Sequence, residues 1–269
     1  PIYGPFSGRL GNDGDTLTLE KPDRPQGPGP DAGYVPYVVV DQVNYGDAYP
    51  WQYVERLYSM LDRHLTPNVR LHVYTEADRE VPAPFIKHEL TPWDIGGRRA
   101  WWYKLQLFNA AHHSGPLLYF DLDTVIVNNI DWICHQPLKY FWGIRDFKYL
   151  WNPTNTGLNS SIMWWDTRQY DAIWQMFCYQ DLFKVMSEYR GDQDYITAKI
   201  RKEEQRFFDP RRIKSWRWQC LDGGYKFQTK KYQNPGVGTQ IDADTSVLIF
   251  HGNPKPLELT DPLILQHWK

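Results

Sequence analysis

Little in this chain of 269 residues settles a function cheaply. Its three cysteines, Cys134, Cys178 and Cys220, lie far apart, cannot all pair, and lack the spacing of a metal site. Buried, reduced thiols in a cytoplasmic protein are the expectation. No apolar run approaches the length of a transmembrane helix, and the first residues lack the basic-then-apolar order of a secretory signal. A formal net charge of -2 gives no electrostatic footprint for nucleic acid or for an anionic membrane. No internal repeat is present.

What the chain does have is length for one large α/β domain, or two small ones, and an aromatic content of 16% with 13 tryptophans. Aromatic faces stack on sugar rings, but tryptophan is first of all a large core residue, so most are expected inside. Residues 1–33 read as an extended or flexible N-terminal segment, because Lys21–Pro30 is rich in proline and glycine and has no apolar period. The folded domain is expected over 34–269. It opens with a short strand, Tyr37–Val40. A helix follows, with Trp51, Val54, Leu57, Tyr58 and Leu61 on one face, and then a strand at Arg70–Tyr74. That order is a βαβ unit, which right-handed crossover places in a parallel sheet. A helix over about Trp101–His112 comes next. Further on, a strand is expected at Ser161–Trp165, with a helix starting at Asp166, Gln169 in the capping-box position, and Tyr170, Ile173, Trp174 and Phe177 on its inner face. Another helix begins near Asp192, and short strands fall near Arg206–Phe208 and at Val247–Phe250.

The most informative stretch is Leu117–Val127, where four apolar residues lead into Asp121 and Asp123 and a second apolar run follows. It reads as a buried parallel strand delivering two carboxylates at its carboxyl end, the edge where open α/β sheets bind ligands. Two such carboxylates repel, so something positive is expected between them, a divalent metal holding a diphosphate foremost. Three other Asp-x-Asp pairs, Asp13/Asp15, Asp192/Asp194 and Asp242/Asp244, follow no such strand and read as solvated turns. His251 ends a second apolar strand in the same manner, with Gly252 and Lys255 in the loop after it. Imidazole with carboxylates suits Mn²⁺, and Mg²⁺ less strongly. Gly252 permits close backbone approach, and Lys255 can neutralise phosphate oxygens.

Five segments carry a resemblance. Trp102–Phe108, Leu117–Val127, Leu158–Trp164, Asp192–Asp194 and His251–Pro256 occur in the order seen in GT-A glycosyltransferases. Across roughly Tyr37–Pro256 the chain most resembles glycosyltransferase family 8, which includes lipooligosaccharide galactosyltransferases and glycogenin, and its uncharacterised bacterial relatives. The resemblance implies a single GT-A domain, a Rossmann-like α/β fold with a mostly parallel central sheet flanked by helices. It implies that Asp121, Asp123 and His251 hold the metal and that Asp121 also reaches the donor sugar. Lys104, Asn159, Gly252 and Lys255 match donor-binding positions, Asn44 and Tyr45 match those that hold the base, and Asp192 and Gln193 match the pair lining the reacting face of the sugar. His251 and Gly252 are adjacent here where the family separates them by two residues, Asn159 is followed by Ser-Ser, and Leu257 stands in place of an aromatic.

The implied activity is metal-dependent transfer from a nucleotide-sugar, a UDP-sugar foremost, to a glycan, lipid-linked glycan or other hydroxyl acceptor. Retention is implied, with inversion by a carboxylate base left open. The segments Tyr140–Asn152 and Arg211–Tyr232 are the variable loops expected to build the acceptor site. Two other readings remain. Asp121-Leu-Asp-Thr-Val125 fits the first motif of haloacid-dehalogenase-like phosphatases, and a tryptophan-rich, non-catalytic carbohydrate-binding protein would show an all-β pattern.

Overall fold

The computed structural model describes residues 18–20, 52–66, 70–75, 86–91, 100–221, 225–226, 231–232 and 238–269. The expected strand Tyr37–Val40, the base-binding candidates Asn44 and Tyr45, Trp51 and the acids Asp13 and Asp15 lie outside the described residues. Within residues 1–33, Thr18–Glu20 forms strand β1.

From there the order is α1 (Gln52–His64), β2 (Arg70–Thr75), β3 (Ile86–Glu89), a 3₁₀ helix Ala100–Phe108, β4 (Pro116–Phe120), β5 (Val125–Ile126) and α2 (Asp131–Cys134). Next come β6 (Phe141–Arg145), a short 3₁₀ helix Phe147–Leu150, β7 (Leu158–Asp166), α3 (Thr167–Cys178), α4 (Leu182–Glu188) and α5 (Asp192–Lys199). The chain closes with β8 (Gln205–Phe207), β9 (Ile213–Ser215), a π-helical turn Trp216–Cys220, β10 (Tyr225–Lys226), β11 (Lys231–Tyr232), β12 (Val247–Ile249), a 3₁₀ turn Pro256–Glu258 and α6 (Pro262–His267).

Two strands hold the architecture. Every residue of β4 and all nine of β7 are buried, and they pair from Pro116↔Asp166 to Phe120↔Ile162. Because side chains alternate across a strand, their residues divide between two cores. Leu118, Phe120, Ile162 and Trp164 face a core closed by α1, β5, β12 and Trp268. Leu117, Tyr119, Met163 and Trp165 face the other, closed by the 3₁₀ helix, α3, α4 and α5. A helix on α1's pattern buries Tyr53, Val54, Leu57, Met60 and Leu61, and α3 buries Tyr170, Ile173, Trp174 and Phe177, both at helical spacing. Asp166 caps α3 by accepting the N–H of Arg168.

The α/β class, with a central sheet flanked by helices, is as expected. Strand direction is corrected: among the described pairs the sheet is mixed, not mostly parallel. Its order is β4-β7-β6-β8, with β7 antiparallel to both β4 and β6 and only β6–β8 parallel. A strand buried on both faces reads as one apolar run whichever way its neighbours point, so periodicity carries no direction. Parallel pairing recurs between β2 and β3 and between β12 and β9.

The helix expected over 101–112 is wound as 3₁₀ and ends at Phe108. Trp102, Lys104, Leu105, Gln106, Leu107 and Phe108 are all buried, so no single apolar stripe sets a 3.6-residue period. Gln106 fixes it tertiarily, accepting the N–H of Thr91 and donating to its carbonyl. Trp102, Trp164, Trp165 and Trp268 are fully buried, in line with the core expectation for tryptophan, whereas Trp101 and Trp151 are exposed. Of the thiols only Cys220 is buried, with burial pushing it up to about 12. Cys134 is half-buried and Cys178 is exposed, which corrects the expectation of three buried thiols. Cys178 ends α3 one residue past the inner-face Phe177, where the helix turns away from the core. No helix of the described residues is long and apolar enough to cross a membrane.

Candidate active site

The acid pair sits where the chain leaves one sheet for another. Strand β4 belongs to the central sheet, while β5, four residues later, pairs antiparallel with β12. Between them the Asp121 N–H donates to Ser161 O (2.8 Å) and the Thr124 N–H to Asp121 O (3.1 Å), closing a turn that presents both carboxylates. The β5–β12 pairing, Val125↔Leu248 and Ile126↔Val247, brings the loop after β12 to this turn. Lys255 Nζ accordingly forms an ion pair with Asp123.

The other wall comes from a bulge. Strand β7 pairs with β6 through Gly143↔Met163 and then through Ile144↔Asn159, so residues 160–162 are extra on the β7 side. A Cβ at Gly143 would lie 2.3 Å from Leu158 Cδ1, so any larger residue there must displace the buried Leu158 side chain. The bulge turns Ser160 and Ser161 toward the acids. The N-terminus of α5 arrives at the same place, and Ser160 Oγ donates to Asp192 Oδ2 (2.8 Å).

Lys104 joins the two walls. Its Nζ lies 2.9 Å from Asp121 Oδ1 and 3.3 Å from Asp192 Oδ2, and it also donates to Ser160 Oγ at 3.2 Å. Tyr119 OH donates to the same Asp121 oxygen at 2.6 Å. Burial pushes the Asp121 carboxyl up, but the Lys104 cation and hydrogen bonds from Ser161, Tyr119 and Lys104 outweigh it and hold it below the usual carboxylate range. Each acid of the pair thus has its own lysine, Lys104 on Asp121 and Lys255 on Asp123. Asp192 is corrected from a solvated turn to a buried helix-start acid in this network, at the end of α5 where negative charge is favoured. Its neighbour Asp194 pairs with Arg190 at 2.7 Å on the surface, and the exposed Asp242 pairs with Lys214.

The remaining candidates fall in the same region. Gln193 Oε1 accepts the N–H of Ser160 (3.4 Å), and Asn159 Oδ1 accepts the N–H of Ser161 (3.1 Å). Gly252 has φ +64°, a left-handed conformation that suits glycine, and the Arg217 guanidinium beside it donates to Asn253 O. His251 lies flat on Trp218 (ring centroids 4.7 Å apart, 20° between planes) and edge-on to Phe147 at 5.0 Å. Burial, with the Arg217 cation, lowers His251 to about 4, so it is a neutral imidazole at neutral pH. Its Nε2 is buried and has no hydrogen-bond partner among the described residues.

Sequence reasoning missed Tyr119, Ser160, Arg217 and Trp218. Tyr119 was recoverable, because residues i and i+2 share a strand face and Asp121 is i+2. The segments expected as acceptor loops are in part regular: Tyr140–Asn152 contains β6 and a 3₁₀ helix, and Arg211–Tyr232 contains β9 and a π-helical turn. They do meet beside His251, where Trp151 stands perpendicular to Trp218 at 4.9 Å.

The donor chemistry at this edge fits a divalent cation: two carboxylates and a neutral imidazole whose buried Nε2 is unsatisfied. The atoms are not gathered around a point, however. Among the described residues, the one set of three such ligand atoms lying within 4.8 Å of one another is elsewhere, and here each acid holds a lysine.

No family model and no curated protein matches the chain. Similarity to solved structures is partial. The glycosyltransferase GlyE of Streptococcus pneumoniae TIGR4 is 14% identical with a TM-score of 0.44, over 66% of this chain and 43% of that one. The galactosyltransferase LgtC, solved with donor and acceptor sugar analogues, is 15% identical with a TM-score of 0.40, over 69% and 75%. Mouse xyloside xylosyltransferase 1 is 18% identical with a TM-score of 0.35, over 63% and 74%. The chain thus spans less than half the length of GlyE.

Proposed function

We propose that this protein is a metal-dependent glycosyltransferase of the hexosyltransferase class, with a nucleotide-sugar donor, a UDP-sugar foremost, and a hydroxyl on a glycan or lipid-linked glycan as acceptor. The observation that carries the reading is the meeting of three acids and two lysines at one sheet edge, Lys104 with Asp121 and Asp192, and Lys255 with Asp123. A diphosphate leaving group needs positive charge, and a sugar needs fixed acceptors for its hydroxyls. This edge offers both.

In the reaction the anomeric carbon–oxygen bond breaks, its electron pair leaves with the nucleoside diphosphate, and the sugar gains positive charge in passing. The acceptor hydroxyl oxygen bonds to the anomeric carbon, and its proton goes to the departing diphosphate. Lys255 is on a flexible stem and is the cation that can exchange Asp123 for the diphosphate. Lys104, buried and bound on both sides, stays and positions Asp121 and Asp192. Gly252, with no Cβ, allows the phosphates to approach the backbone. Asp192 and Gln193 lie on the reacting face of the sugar and Asn159 beside it, where the acids also hold negative charge against the developing cation. A cation held by Asp121, Asp123 and His251 would supply Lewis acidity to the leaving diphosphate. Asn44 and Tyr45 are retained in this proposal as holding the base. Retention is part of this proposal, and product stereochemistry decides between it and inversion by a carboxylate base.

The reading is tested by thermal shift with nucleoside diphosphates, each with and without Mn²⁺. Stabilisation that needs nucleotide and Mn²⁺ together supports it. The same screen without any response, alongside turnover of an aryl phosphate, would transfer the site to the phosphatase reading. An all-β carbohydrate-binding module does not accord with the α/β architecture.

A further inference from the structure

At the other end of β4 from these acids, three histidines converge. Strands β2 and β3 pair in parallel with Tyr74 opposite His88, so His72, two residues before Tyr74, lies on the same face as His88. His113, in the turn that precedes β4, closes on both. The rings of His72 and His88 stack at 4.8 Å, His88 lies 5.0 Å from His113, and His72 lies 5.4 Å from His113. One nitrogen of each falls within 4.8 Å of the others.

We propose that His72, His88 and His113 bind a Zn²⁺ ion as its three protein ligands. Three imidazoles and no carboxylate are the donor set that favours zinc over the oxygen-seeking Mn²⁺ or Mg²⁺. Tetrahedral zinc with bonds of about 2.0–2.1 Å places its ligand nitrogens roughly 3.3 Å apart. The ligand atoms here lie within 4.8 Å of one another, with His72 Nδ1 2.5 Å from His88 Nε2, so the cluster must exchange that direct contact for the ion. Burial, aided by His112, lowers His88 to about 4, and burial with the surrounding imidazoles places His113 well below the ordinary range.

The location sets this cluster apart from the acid pair. His113 stands before β4, whereas Asp121 follows it, so the two centres lie at opposite ends of that strand. The three ligands come from β2, from β3 and from the turn after the 3₁₀ helix, segments otherwise joined across a small sheet and the Gln106–Thr91 hydrogen bonds. A shared ion would tie that sheet to the central one, and folding and metal binding would then be coupled.

The test uses the full chain, stripped with a chelator and titrated with Zn²⁺ alone, without nucleotide. One Zn²⁺ per chain and a thermal midpoint that falls on stripping and returns with Zn²⁺ are expected. Co²⁺ in place of zinc should give the intense visible absorption of a four-coordinate site. His88→Phe and His113→Phe, which keep ring volume, should lose that absorption and bind zinc at least tenfold more weakly, while the exposed His135→Ala changes neither. A folded wild-type chain that takes up no zinc, or ring-preserving variants that bind it as wild type does, would overturn the site and leave a stacked histidine core. Because no donor or Mn²⁺ is present, that failure would not touch the glycosyltransferase reading.

Discussion

Replacing Lys104 by methionine is the most revealing perturbation of the active-site network. Methionine keeps most of the stem and removes the charge. Lys104 Nζ sits 2.9 Å from Asp121 and 3.3 Å from Asp192, and the three side chains are 9%, 27% and 8% exposed. The triad carries a net charge of -1, and the variant would leave two unpaired carboxylates together. Removing one partner of a buried ion pair typically costs about 3–5 kcal/mol. Since Asp121 keeps about a quarter of its surface in solvent, which screens it, the lower end is expected, about 3 kcal/mol at neutral pH.

The pH dependence distinguishes this cause from simple loss of packing. In the native protein Asp121 titrates below its unfolded value, so its contribution is complete above about pH 3.9 and fades as pH falls through the depressed value. Without Lys104, burial dominates and the carboxyl rises above its unfolded value. The stability contribution is then present at low pH and lost as pH rises. Urea denaturation of both proteins from pH 7 down to pH 4 should therefore show the gap closing with acidification. Asp121→Asn in the Lys104→Met background should recover part of the loss. A loss under about 1 kcal/mol, in the range of an exposed pair, or a gap independent of pH, would refute the reasoning.

Other consequences follow from the backbone around the site. Gly143→Ala drives a Cβ to 2.3 Å from Leu158 Cδ1 and should cost about 1–3 kcal/mol in chemical denaturation, with partial recovery when Leu158→Ala is added. Gly252→Ala, at φ +64°, should cost about 1–2 kcal/mol, and Gly252→Asn less, because asparagine tolerates the left-handed region. If calorimetric unfolding ranks Ala and Asn equally, the loop is not held in that conformation. Both Gly252 variants should also weaken nucleotide binding, as measured by titration calorimetry.

The parts of the fold that depend on a run or a period were legible. Continuous burial made β4 readable and placed Asp121 and Asp123 at its end, and helical spacing gave α1 and α3. Features that depend on two distant segments were not. The direction of β7 beside β4, the extra residues 160–162 opposite Gly143, and the tight winding of Ala100–Phe108 are set by packing against neighbours, which local pattern does not encode. The same limit applies to the site. A positive charge beside the acids could be expected from repulsion alone, but that Lys104 serves both Asp121 and Asp192 requires the bulge and α5 to meet. By local pattern Asp192 looked like any other acid in an Asp-x-Asp pair, and only the family resemblance singled it out. His72, His88 and His113 are separated by 16 and 25 residues, and no local motif announces them.

The central claim is that the acid pair after β4 serves a nucleotide-sugar. The direct measurement is Mn²⁺-dependent hydrolysis or transfer of UDP-sugars by the wild-type chain and by Asp123→Ala, with thermal unfolding followed in parallel. The account predicts turnover by the wild type that requires Mn²⁺, and its loss in a variant that remains folded. Unchanged turnover in Asp123→Ala would contradict it.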